Sequence, residues 1–222
     1  MKIKGIIFDL DGTLLNTLND IANSFNHALQ LHGLKQYPTQ RYKDFIGSGV
    51  KVLAQKAVGI EDKNLIESVL ADYKAYYTDH SADTTKPFPH IPQVLRILSE
   101  SYKLSILSNK PHTDTVLLIK KYFPDIPFTC VYGQLEGVPR KPDPTAARMI
   151  AREMHLLPQE IAYVGDSEND ILVANNASML AISVLWGFRT AEQLKNAGTC
   201  YAFCEKAEDI ISVLEELNHA AE

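Results

Sequence analysis

Phe8-Asp9-Leu10-Asp11-Gly12-Thr13-Leu14 follows a short apolar stretch, residues 3–8, and its reading decides how the rest of the chain is understood. A brief apolar run closed by a glycine predicts a buried strand with a sharp turn behind it. In strand geometry Asp9 and Asp11 point the same way, because side chains repeat with a period of two. Two carboxylates that close repel each other, so the pair persists only if a cation bridges it or one member keeps its proton. Active sites use both solutions. A solvated Asp-x-Asp-Gly turn is the plain alternative for this stretch taken alone.

The 222 residues, 45% of them hydrophobic, suffice for one large domain or for one domain carrying a smaller insert. A net charge of -5 and the lack of a Lys/Arg run leave no electrostatic footprint for nucleic acid or a membrane surface. Asp9 interrupts the apolar run after Lys2 and Lys4 too soon for a secretory leader. Asn175, Asn176, Ser178 and Ser183 break the uncharged stretch 171–188 that might otherwise read as a membrane span. Cys130, Cys200 and Cys204 form no Cys-x-x-Cys pair and suit free thiols in a reducing compartment, so a cytoplasmic location is expected.

From Asn16 onward the period becomes helical. Leu18, Ile21, Ala22, Phe25, Ala28 and Leu29 share a face, Thr17 is placed to cap the start, and Gly33 stands where the helix would end. Val50, Leu53, Ala54 and Ala57 mark a second helix. Leu65, Ile66, Val69, Leu70, Tyr73 and Tyr76 mark a third, whose Tyr and Leu stripe reads as core packing. After the breaker-rich segment 84–89, strands predicted at 103–108, 128–132, 161–165 and 179–185 alternate with helices at 114–122, 143–155 and 168–175. The expected fold class is α/β: a Rossmann-like parallel sheet built from residues 1–15 and 87–222, with a small α-helical domain, residues 16–86, inserted after the first strand. Ligands in such folds sit beyond the carboxyl ends of the strands.

The chemically suggestive residues gather at those ends. Asp9 and Asp11 follow the first strand, Ser108-Asn109-Lys110 the second and Gly165-Asp166-Ser167-Glu168-Asn169-Asp170 the fourth, while Arg140-Lys141-Pro142-Asp143-Pro144 precedes a helix. Each has a plain reading: Ser167-x-x-Asp170 is a helix-capping pattern, Ser108-Asn109 a turn, Lys141 a solvated loop lysine. Their convergence on one sheet edge is what points to a phosphoryl-transfer site. Asp9 would attack phosphorus in line to give an aspartyl-phosphate. Asp11 would protonate the leaving alcohol and later activate water. Lys141, the Ser108 hydroxyl and the backbone N–H of Asn109 would bind the phosphate.

In order, these stretches resemble the four motifs of the haloacid dehalogenase-like phosphohydrolase superfamily, in the C1 subclass with a helical cap after the first motif. The resemblance spans roughly residues 3–171. It implies a Mg²⁺ cofactor held by Asp9, Asp166 and the backbone carbonyl of Asp11, with Thr13 and Asp170 supporting the site from behind. Phe45-Ile46-Gly47-Ser48-Gly49-Val50-Lys51 resembles the specificity loop of the phosphoglycolate phosphatase group, which makes Ser48 and Lys51, with Arg41, candidates to meet a substrate. The expected partner is a small phosphorylated metabolite, neither nucleic acid nor membrane, acted on by a monomer or homodimer. A phosphosugar mutase and a pyrophosphatase remain open within the same resemblance. Asp11 argues against a dehalogenase, and the helical insert against a receiver-type phospho-aspartate switch. Trp186-Gly187-Phe188-Arg189 resembles a loop common in the family, and the scattered histidines show no ligand spacing.

Overall fold

A computed structural model of the chain describes residues 2–220, so the outer limits expected for the core, residues 1, 221 and 222, lie outside it. After β1 (Gly5–Phe8) come the short β2 (Leu15–Asn16) and three helices, α1 (Leu18–Leu31), α2 (Val50–Val58) and α3 (Lys63–His80). β3 (Lys86–Pro87) then returns to pair antiparallel with β2. Strand and helix alternate from there: α4 (Ile91–Ser99), β4 (Lys103–Pro111), α5 (His112–Tyr122), β5 (Phe128–Gln134), α6 (Thr145–Glu153), β6 (Ile161–Gly165), α7 (Glu168–Ala177) and β7 (Leu180–Val184). The short α8 (Ala191–Lys195), β8 (Ala202–Cys204) and α9 (Asp209–His219) complete the chain.

Among the described residues the six longer strands form one parallel sheet in the order β5-β4-β1-β6-β7-β8. β1 is central because Gly5 to Phe8 are all buried: Ile6 and Phe8 enter one apolar cluster, and Ile7 enters the other across the sheet. A strand with both faces covered must be apolar throughout, which is how this one reads. The chain runs one way from β1 through β4 to β5 and the other way through β6 to β8, so the strand order reverses at β1. The crevice at such a point is where open α/β sheets bind ligands.

The helices α1, α2 and α3 gather around a separate cluster that includes Phe25, Tyr42, Leu53, Tyr73 and Tyr77. Phe25 stacks on Tyr73 with 3.9 Å between ring centroids, and Tyr73 is buried as core packing requires; Tyr76 is half-buried and stacks on His27 and His80, while Tyr77 takes the buried place next to it. Phe188, from the segment after β7, enters this cluster.

Several boundaries differ from those read in the sequence. β4 continues to Pro111 instead of ending at Ser108, so Ser108, Asn109 and Lys110 lie within it, next to a register shift against β5. The helix expected from residue 143 begins at Thr145, where Asp143 Oδ1 accepts the Thr145 N–H and holds the turn before the helix. Thr17 does not cap α1: its hydroxyl donates instead to Asp11 Oδ1 at 2.7 Å. α4 is not among the helices expected from the sequence; its Pro92 sits in the first turn, where a missing N–H costs nothing. β8, too short to show a period, and α9 are further elements that the sequence did not announce.

Candidate active site

Asp9 follows directly on β1 and is fixed by its N–H donating to Val164 O of β6 at 2.9 Å. The chain then folds back, with the N–H groups of Leu14 and Leu15 both donating to Leu10 O. Gly12 makes this turn at a φ of +88°, and a Cβ there would lie 2.3 Å from Asp166 Oδ2. Gly187 approaches the same carboxylate from the other side, where a Cβ would lie 2.3 Å from Asp166 Cβ. Two glycine backbones thus clamp Asp166, and the Phe188 N–H donates to its Oδ2 at 2.7 Å while Thr13 Oγ1 donates to Oδ1 at 3.2 Å.

Asp9, Asp166 and Asp170 bring one carboxylate oxygen each to within 4.8 Å of one another, all three buried. Burial raises the Asp9 pKa, and it outweighs the attraction of Lys141 to leave the group at about 7, with Asp170 and Asp11 adding repulsion. Asp166 is pushed well above the usual carboxylate range by burial first, then by Asp170 and Asp9. The Lys141 ammonium lies 2.9 Å from Asp9 Oδ1, yet outside hydrogen-bond geometry, so this buried oxygen finds no donor among the described residues. A buried carboxylate oxygen left in that state is suited to a cation, and a set of hard oxygen ligands fits Mg²⁺.

Lys141 is positioned by Asn109, whose side chain accepts the Lys141 N–H at 2.9 Å and donates to Lys141 O at 3.1 Å. The Asn109 amide also donates to Gly47 O at 2.9 Å. Its side chain is therefore occupied in bracketing backbone, and a phosphate-binding duty expected for Asn109 rests on its backbone N–H alone. The Ser108 hydroxyl accepts the Lys110 N–H at 3.3 Å and lines the cavity.

Asp11 keeps different company from Asp9. The strand ends at Phe8, and Asp11 makes only an isolated bridge to Leu15. Its carboxylate accepts from Thr17 and lies 3.2 Å from the Lys110 ammonium, whose side chain is 4% exposed. The sequence showed Lys110 only as the last residue of the Ser108-Asn109-Lys110 stretch after a strand, and no partner for it could be read there.

The cavity over these groups is closed by the helical segment through Ile46, Gly47, Gly49, Val50, Leu53 and Tyr73. Neither Ser48 nor Lys51 lines it, and Lys51 is exposed, as is Arg41, which pairs with Asp44. The loop after β7 contributes Phe188 and Arg189 to the wall. Arg189 donates to Glu168, to Ile46 O at 2.7 Å and to Lys43 O. The Asn169 amide donates to Gly47 O at 3.2 Å, so two asparagines from different strand ends share this carbonyl.

A family model described as haloacid dehalogenase-like hydrolase matches residues 6–184. A phosphoglycolate phosphatase of Mannheimia succiniciproducens is 31% identical over 196 residues, covering 84% of this chain and 88% of that protein. The phosphoglycolate phosphatase of Haemophilus influenzae strain Rd is 27% identical over 222 residues, covering 96% and 99%. Among solved structures, a candidate phosphoglycolate phosphatase from Lactobacillus delbrueckii subsp. bulgaricus is similar with a TM-score of 0.90 and 31% identity, over 96% of this chain and 99% of that one.

Proposed function

The chain belongs to the haloacid dehalogenase-like hydrolase family, and on that footing we propose that it is a Mg²⁺-dependent phosphatase of small phosphate monoesters, with 2-phosphoglycolate its foremost substrate. The observation that carries this reading is Asp9 Oδ1, buried beside Lys141 without a donor among the described residues and close to oxygens of Asp166 and Asp170. Asp9 attacks phosphorus, the bond to the ester oxygen breaks, and the leaving oxygen takes a proton from Asp11. Water then attacks the aspartyl-phosphate, its proton passing to Asp11 while phosphate leaves and the Asp9 carboxylate is restored. Ser108, the Asn109 N–H and Lys141 hold the phosphoryl oxygens. Asp9, Asp166 and the Asp11 carbonyl would hold Mg²⁺, which would supply positive charge against the negative charge that develops on those oxygens.

In this reading residues 16–86 act as a cap over a core of residues 1–15 and 87–222. The shared hold of Asn109, Asn169 and Arg189 on backbone of residues 43–47 supports that division. The three cysteines are free thiols, which supports a cytoplasmic setting. Among the described residues no helix is long and apolar enough to cross a membrane. The enzyme would act as a monomer or homodimer.

The test is a hydrolysis screen with and without Mg²⁺ over phosphoglycolate, hexose phosphates, nucleotides and pyrophosphate, with Asp9→Asn as the control. Mg²⁺-dependent phosphate release, highest in kcat/KM for phosphoglycolate and lost in Asp9→Asn, is expected. Release that survives in Asp9→Asn would reject the nucleophile.

A further inference from the structure

Lys110 is a buried ammonium for which phosphoryl transfer, with Lys141 already beside Asp9, supplies no duty. It lies on β4 two residues beyond Ser108, roughly 6.5 Å further along an extended chain, in the stretch where the register against β5 shifts. Both line the same cavity as Asp9. The ammonium lies over the face of Tyr77, 4.7 Å from Nζ to the ring centroid, and beside the Asp11 carboxylate at 3.2 and 3.4 Å, with Tyr73 and Asp114 also acting on its charge. Those distances are long for a charge-assisted hydrogen bond, which settles at roughly 2.8 Å. Among the described residues Asp11 is the one carboxylate within 4 Å of Lys110. An ammonium has three donors, so this one keeps capacity for a short bond to an acceptor entering the cavity. The helical segment lines this cavity mainly with apolar groups, Ile21, Val50 and Leu53, together with Tyr73.

We propose that Lys110 is a specificity residue that binds a carboxylate on the leaving part of the substrate, which makes the preferred substrates small phosphorylated carboxylic acids. The proposal rests on the phosphatase reading above. With the phosphoryl group beside Asp9 and Ser108, the span to Lys110 is one that a short carbon chain bridges, so the acid group one carbon from the ester oxygen comes within reach. A neutral alcohol at that place would leave a desolvated charge poorly compensated, and this difference is what selects the acid.

The experiment compares phosphoglycolate with 2-hydroxyethyl phosphate, in which a neutral hydroxymethyl group replaces the carboxylate, for the wild type, Lys110→Met and Lys110→Arg. Both esters are expected to lose turnover in Lys110→Met, because Asp11 loses a partner. Phosphoglycolate should lose roughly 10- to 100-fold more in kcat/KM, chiefly through KM, and Lys110→Arg should restore most of that difference. Equal losses on both esters would reduce Lys110 to a residue that only positions Asp11, and would overturn the proposal. A wild type that hydrolyses both equally well would overturn it while leaving the phosphatase reading intact, and one that hydrolyses neither would overturn both. Should Lys110→Met not fold, Lys110→Gln allows the same comparison. Inhibition by phosphonoacetate and by 2-hydroxyethylphosphonate then adds a binding readout, at least about 10-fold tighter for the acid in the wild type and equal in the variant.

Discussion

The ammonium of Lys141 lies 2.6 Å from the Asp170 carboxylate, and each of these side chains is 2% exposed. The other Asp170 oxygen accepts from the Ser167 N–H at 2.9 Å and the Ser167 hydroxyl at 2.6 Å. Both oxygens are thus taken, although one lies within 4.8 Å of oxygens from Asp9 and Asp166. Asp170 is better described as the group that orients Lys141 and starts α7 than as a metal ligand. The pattern Ser167-x-x-Asp170 caps the helix and serves the site at once.

Asp170→Asn should accordingly lower turnover by roughly 10- to 100-fold through a misplaced Lys141, while the Mg²⁺ concentration for half-maximal activity changes little. Metal titrations of the variant and the wild type decide this. A large rise in the Mg²⁺ requirement would place Asp170 among the ligands.

Asp166→Asn should behave in the opposite manner. Its carboxylate is clamped between Gly12 and Gly187 and held by the Phe188 N–H, so its position is fixed and the loss should fall on the proposed metal, with a Mg²⁺ midpoint raised by roughly 10-fold or more. Asp11→Asn should leave that midpoint near the wild-type value and cut turnover by roughly 10²- to 10⁴-fold, since it removes the proposed proton carrier. Identical titration curves for the two variants would contradict this separation.

The raised pKa of Asp9 gives stability a definite pH dependence. Burial takes the group from 3.8 to about 7, so between those values the folded metal-free protein keeps a proton that the unfolded chain has released. The contribution of Asp9 to stability is therefore full below about pH 4 and falls as the pH rises through 7. Mg²⁺ competes with that proton, so the increase in Tm on adding Mg²⁺ should grow from about pH 5 to about pH 8. Calorimetric titration at about pH 6, in buffers of different ionisation enthalpy, should show proton release. A Tm increase independent of pH would contradict the competition.

Arg189 ties the loop after β7 to the carbonyls of Lys43 and Ile46 and to Glu168. Arg189→Ala removes all three links while Phe188 remains anchored in the helical cluster. Faster amide exchange across residues 43–49 and a KM raised several-fold are expected, with the sheet strands as protected as before. Unchanged exchange in that segment would show that Asn109 and Asn169 suffice to hold it.

The α/β class, the helical block after the first strand and the carboxylates at the strand ends were legible in the sequence because each is a local property. A short apolar run declares a strand buried on both faces, and Asp-x-Asp-Gly at its end declares a turn rich in negative charge. α4 escaped because prolines at 87, 89 and 92 read as breakers, and β8 because three residues are too few to show a period. Which cation meets which carboxylate was a different matter. Lys110 reaches Asp11 across 99 positions, and Lys141 reaches Asp170 across 29, only because β4 and β6 flank β1 and β4 extends to Pro111. The loop over the site followed the same rule: Gly47 and Gly49 face the cavity, and Ser48 and Lys51 do not line it, because the packing of the helical cluster sets how that loop meets the sheet edge. Periodicity assigns a residue to a face of its own element, but the neighbour opposite that face is chosen by strand order and helix packing, and only the folded chain supplies those.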